Sequence, residues 1–226
     1  MTPNISIAIE TSCRLGGLAL GMDQSLLKVV RLDASARYAT ELVSQLRDLL
    51  ESCALRPADV RELYVSAGPG SFTGVRVGIT VARTLAQAVG QAPCVGVPTA
   101  QAVAWNVREH DWRHLGVIFD ARGGQIHATL FARRDGQRVL DGPAQVLAPA
   151  QFLQEAPRPL LLIGEGLRYH DLSGPGVERA DEGLDFPTPE GVWHVGKELA
   201  RLGHAVHFQR LLPIYVRRPA ITQRQT

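Results

Sequence analysis

The chain has 226 residues, of which 45% are hydrophobic and 20% charged, with a formal charge of +2. This suits one large soluble domain or two smaller lobes with proper cores, and the charge is too low for a dedicated nucleic-acid binder. No apolar run approaches the ~20 residues of a membrane span, and the first residues lack a basic segment followed by an apolar one, so a cytoplasmic protein without a membrane partner is expected.

Ile5, Ile7 and Ile9 alternate toward one face and end at Glu10. The turn T-S-C-R-L-G-G then leads to L-A-L-G, and L-L-K-V-V-R-L follows, which predicts a three-strand meander. From Thr40 the period changes: Leu42, Val43, Leu46, Leu49, Leu50 and Cys53 fall at helical spacing, predicting an amphipathic helix of about three to four turns. Pro57 closes that region, and E-L-Y-V-S-A reads as a short buried strand. Cys13, Cys53 and Cys94 are far apart and form no C-x-x-C pair, which fits reduced thiols.

Residues 64–78, Y-V-S-A-G-P-G-S-F-T-G-V-R-V-G, form a glycine-rich turn into a helix. Such a turn presents backbone N–H groups at the positive end of a helix dipole, which suits anions. Glu10, Thr11, Ser12, Gly70, Ser71 and the later Asp120 are accordingly candidates for a vestigial nucleotide or anion site. The segment is neither a Walker loop nor a G-x-G-x-x-G fingerprint, and Pro69 removes one donor. The structural alternative is a corner, with Ser71 capping the helix behind it. In that helix Gly74, Gly78, Ala82 and Ala86 recur every four residues, flanked by Val75 and Ile79 on one side and Val77, Val81 and Leu85 on the other. Arg76, Thr80, Arg83 and Gln87 form the polar stripe. Small residues at spacing four let another backbone approach. Two readings follow: a central helix buried in its own fold, or a docking surface made by Leu42, Val43, Leu46, Leu49, Leu50, Val75, Gly78, Ile79, Ala82, Leu85 and Ala86.

The run G-V-I-F-D-A-R-G-G-Q-I-H-A-T-L-F repeats the pattern of the first strand, turn and strand, with Asp120 at the position of Glu10. A repeat predicts two lobes facing across a cleft, divided as residues 1–98 and 99–226, with the last residues returning to the first lobe. His110 and His114 stand four apart but no third ligand is fixed by spacing, so no metal site is expected. The stretch 164–191 is rich in Gly, Pro and acids and reads mostly as loop. A helix is expected through Val192, Val195, Leu199 and Leu202, stopped by Gly203, with L-L-P-I-Y-V as a final extended piece. After Glu198 the chain has no acid but carries Arg201, Arg210, Arg217, Arg218 and Arg224, a tail suited either to solvent or to RNA phosphates.

The segments I-A-I-E-T-S, S-A-G-P-G-S-F-T-G-V-R-V-G-I-T-V-A-R-T-L-A, V-G-V-P-T-A, I-F-D-A-R-G-G-Q-I-H-A-T-L-F and P-I-Y-V-R-R-P-A resemble, in order, the bacterial TsaB (YeaZ) family. The match runs from about residue 5 to about residue 220 and is weakest between Gly164 and Glu190. The resemblance implies an α/β fold of two duplicated lobes, that of the actin, sugar-kinase and Hsp70 superfold (RNase H-like). It also implies a non-catalytic scaffold or activating subunit that pairs with a TsaD-like catalytic subunit and a TsaE-like ATPase. That machinery forms N6-threonylcarbamoyladenosine at position 37 of ANN-decoding tRNAs, so tRNA is met through the complex. No cofactor is expected in the chain itself, ATP and Mg entering only with the partners; the sequence leaves the free oligomeric state open, a homodimer being one fate of an unpaired apolar face. The TsaD-like relative has an H-x-x-x-H metal motif where this chain has Thr99 and Val103, neither of which replaces imidazole. Ala39-Thr40-Glu41 stands where many members have His-Ser-Glu, and Glu10 where Asp is usual. The alternative function is an ATP-dependent phosphotransferase of the same superfold; a metallopeptidase lacks H-E-x-x-H and every correctly spaced ligand set.

Overall fold

The computed structural model describes residues 3–32 and 38–215. In the first sheet β1 (Ile5–Glu10), β2 (Gly16–Met22) and β3 (Ser25–Leu32) make the antiparallel meander. After α1 (Tyr38–Glu51), strand β4 (Val60–Gly68) runs parallel to β1. After α2 (Phe72–Ala88), β5 (Cys94–Pro98) runs parallel to β4, giving the order β3-β2-β1-β4-β5. The short helix α3 (Thr99–Trp105) then leads to the second sheet.

That sheet repeats the scheme. β6 (His114–Asp120), β7 (Ile126–Arg134) and β8 (Gln137–Leu140) form the meander, and β9 (Gln145–Leu147) adds to β7. After α4 (Pro149–Glu155), β10 (Leu160–Ile163) pairs parallel to β6 and β11 (Val177–Arg179) parallel to β10. The order β8-β7-β6-β10-β11 therefore matches β3-β2-β1-β4-β5 strand for strand. The repeat expected from the two hairpins is a repeat of whole sheets, and Glu10 and Asp120 are both last residues of the first strand of their sheet.

Strand alternation sorts the cores. Ile5, Ile7 and Ile9 of β1 join Leu42, Leu49, Val75 and Ile79 of α1 and α2 on one face of the first sheet. Ala8, Tyr64 and Val97 face Val192, Trp193 and Val195 of α5 (Pro189–Arg201) on the other. Burying side chains of this size contributes about 1.5–3 kcal/mol each. The chain thus returns to the first sheet after the second is complete. Trp193 Nε1 donates to Ser6 Oγ at 2.8 Å, Val206 bridges Cys94, and the Ile214 N–H donates to Ala67 O at 2.7 Å. Helix α3 sits between the lobes, with Val103 and Ala104 in the core of the second and Ala102 in that of the first. No described helix is long and apolar enough to cross a membrane.

Candidate functional site

The glycine-rich turn spends two of its backbone donors on its own chain. The Ser71 N–H donates to Ser12 O at 2.7 Å, and the Gly74 N–H to Ser71 Oγ at 3.2 Å, the cap expected of that serine. Thr11 Oγ1 in turn donates to Gly74 O at 2.8 Å. The first turn of α2 is therefore stitched to the β1–β2 turn, and Thr11, Ser12, Gly70 and Ser71 are indeed neighbours. These bonds join two elements, as a corner requires.

Glu10 is closed. Its carboxyl has no exposure, Oε1 accepts from the Ser12 N–H at 2.5 Å and Ser12 Oγ at 2.7 Å, and Oε2 accepts from Ser66 Oγ. Burial raises its pKa above the usual carboxylate range, against the pull of the serine hydrogen bonds. Thr99 Oγ1 lies 3.4 Å from Ser12 Oγ, and Val103 is sealed in the core, so the positions of the relative's metal motif are filled by packing.

Asp120 is brought to the same cleft but differs. Its side chain is 30% exposed and accepts from the Arg122 N–H at 3.1 Å, while His170 Nε2 pairs with Oδ1 at 2.9 Å. Burial pushes this carboxyl up, but the His170 and Arg122 hydrogen bonds and charges together hold it below the usual value. Asp120 lines an interlobe cleft of about 970 Å³ together with Ser12, Gly70, Ser71, Glu165 and Arg168, while Glu10 lies beneath its surface, held by Ser12. Glu165, raised by burial, and His127 were not visible as site residues in the sequence. His127 is buried, lowered in pKa by desolvation, and neither ring nitrogen has a hydrogen-bond partner among the described residues.

The expected docking surface requires correction. Leu42, Leu46, Leu49, Leu50, Val75, Gly78, Ile79, Ala82 and Ala86 are buried against this chain's own first sheet, and Leu85 is partly buried there. A Cβ on Gly74 would sit 1.9 Å from Thr11 O, and one on Gly78 2.3 Å from Thr11 Oγ1 and 3.2 Å from a Val65 methyl. Gly74 and Gly78 of the strip thus admit Thr11, just after β1, and side chains of β1 and β4. Of the proposed set only Val43, 56% exposed, is open. Arg substituted at Ala82 would consequently test folding rather than docking.

Other histidine readings also shift. His110 ends the turn after α3 while His114 opens β6, so their spacing of four does not place them on one helix. Among the described residues no group of three or more His, Cys, Asp and Glu is placed to hold a metal ion. Arg217, Arg218 and Arg224 lie outside the described residues.

With this geometry in hand, the chain compares as follows. The family described as TsaD, tRNA N6-adenosine threonylcarbamoyltransferase, matches residues 29–210. The tRNA threonylcarbamoyladenosine biosynthesis protein TsaB of Bacillus subtilis is 29% identical over 219 residues, covering 93% of each chain. The protein of that name from Escherichia coli is 26% identical, covering 93% of this chain and 94% of its own. The solved structure of YeaZ from Pseudomonas aeruginosa superposes with a TM-score of 0.81 at 24% identity, over 94% of this chain and 100% of that one. The duplicated sheets are thus those of the actin-like two-lobed superfold. The chain belongs to the family described as tRNA N6-adenosine threonylcarbamoyltransferase, and within it to the TsaB (YeaZ) proteins.

Proposed function

We propose that this chain is a non-catalytic subunit in the formation of N6-threonylcarbamoyladenosine on tRNA, acting beside a TsaD-like catalytic subunit and a TsaE-like ATPase. The relatives' names point to that pathway. The observation that carries the accessory role is the closed carboxyl of Glu10, whose two oxygens are taken by Ser12 and Ser66 beneath the surface. A carboxylate in that state cannot ligate a nucleotide's Mg²⁺ without giving up its internal bonds. ATP and Mg²⁺ accordingly belong to the partners. Thr99 and Val103, where the catalytic relative carries its histidines, support the same division of labour. The partner is assigned to the outer face of α1 and α2, where Val43 is open and Val77, Val81 and Leu85 are only partly buried.

Reconstitution tests this reading. The chain alone is expected to modify no tRNA, and a mixture with the TsaD-type enzyme, the TsaE-type ATPase and threonylcarbamoyl-adenylate to modify it. Val43→Asp should leave the free chain folded and abolish co-elution with the TsaD-type enzyme on gel filtration. Modification by the isolated chain, or full activity of the partners without it, would refute the proposal.

A further inference from the structure

Two aromatic–arginine platforms border the interlobe cleft, one from each lobe. On the first lobe Phe72, 46% exposed in the opening turn of α2, carries the Arg76 guanidinium 3.7 Å from its ring centroid. Arg76 Nε donates to the Tyr215 hydroxyl at 2.9 Å, and the Phe72 and Tyr215 rings lie 5.6 Å apart. On the second lobe the Arg168 guanidinium lies 4.8 Å over the Phe186 ring, and the adjacent Tyr169 is 60% exposed. Phe72, Tyr215, Arg168, Tyr169 and Phe186 all line the same cleft.

An arginine stacked on an aromatic ring is already ordered, yet keeps a planar fork of donors for phosphate oxygens. Exposed aromatic rings beside it offer flat faces on which bases stack. The acids nearby have partners on the chain: Asp120 is engaged by His170 and the Arg122 N–H, and the buried Asp185 by Arg179 and, at 3.8 Å, by Arg168 Nε. Beyond Tyr215 the sequence continues with Arg217, Arg218 and Arg224 and no acid.

From this juxtaposition we infer that the mouth of the cleft binds single-stranded RNA, its occupant being the unpaired loop of a tRNA. Loops present splayed bases and phosphates together, whereas a duplex hides its base faces. The inference rests on the tRNA-modification reading above and replaces an indirect contact with tRNA by a direct one.

The test is fluorescence anisotropy with a labelled anticodon stem-loop of an ANN-decoding tRNA, using the full chain and its complex with the TsaD-type enzyme. A fully paired RNA of equal charge is the competitor. Phe72→Ala and Tyr169→Ala should each weaken stem-loop binding about tenfold, with thermal unfolding unchanged. Arg76→Gln should reduce the slope of log K against log salt by about 0.7. Equal binding of stem-loop and duplex, or wild-type affinity in both alanine variants, would overturn the inference. So would loss of the TsaD-type enzyme rather than of RNA in Phe72→Ala, which would give the mouth to a protein. Failure of the complex to form would count against the accessory role; a formed complex whose RNA affinity ignores these variants counts against the mouth alone.

Discussion

The two lobes share a strand order and part company after the fourth strand of each. In the first, β4 ends at Gly68 with φ +113° and the chain turns through Gly70 and Ser71 into the 17-residue α2. In the second, β10 is followed by Gly164 with φ +119° and only a four-residue 3-10 turn, Glu165–Arg168. The registers also differ: Ile9 pairs with Val65, which sets Ser66 level with Glu10, whereas the last pair in the second lobe is Val117 with Ile163, so β10 stops three residues short of Asp120. Ser66 donates to the strand-end acid of its sheet; no residue of β10 reaches the other. Glu10 is therefore sealed by its neighbour strand, whereas Asp120 stays partly exposed and takes a histidine from a loop. The difference teaches that duplication fixes where the acids stand, while the reach of the adjacent strand, and the hydroxyl it carries there, decides whether an acid serves packing or remains open to the cleft.

Breaking the first lobe's side of this contrast has the largest expected effect. Ala82→Arg places a charge in a core with no partner for it, and should cost about 3–5 kcal/mol, seen as loss of cooperative unfolding by circular dichroism. Next, Ser66→Ala strips Glu10 Oε2 of its donor and should cost about 1–3 kcal/mol in urea denaturation.

The contrast sharpens with pH. Because the folded pKa of Glu10 is raised above 4.5, the native state holds its proton more tightly than the unfolded chain. Stability from this group is present below pH 4.5 and is lost as pH rises through the folded value. Glu10→Gln removes that loss, so its stability relative to the parent should rise across the same window; a constant offset from acid to neutral pH would contradict the assignment. Asp120 has the opposite sign: its folded pKa lies below 3.8, so its contribution is present above that value and disappears as pH falls through the folded one. With the carboxylate 30% exposed, His170→Ala should cost only about 0.5–1 kcal/mol near neutrality and nothing in strong acid.

Much of this was legible beforehand. Alternation at Ile5, Ile7 and Ile9 and the helical spacing from Leu42 to Leu50 placed β1 and α1, and the similar hairpins around Glu10 and Asp120 announced the duplication. The strip of Gly74, Gly78, Ala82 and Ala86 reported correctly that a backbone comes close, but small residues carry no label for whose backbone it is. Thr11 sits 63 residues from Gly74, and that long-range contact decided between core and interface. Helices α3 and α4, at seven residues each, are too short to show a period. The Arg76–Tyr215 bond joins residues 139 apart, so neither lobe's aromatic platform had a local signature.

The account as a whole holds that the acid ending β1 belongs to the architecture and that the chemistry is done by another chain. The measurement closest to that claim is the rate of threonylcarbamoyladenosine formation by the reconstituted proteins when Glu10→Gln replaces the parent chain. A rate within about twofold of the parent is predicted, since Gln fills the same sealed space without a charge. A fall of roughly a hundredfold, about 2.7 kcal/mol of barrier, in a variant that still folds and still joins its partner, would put Glu10 in the reaction and contradict it.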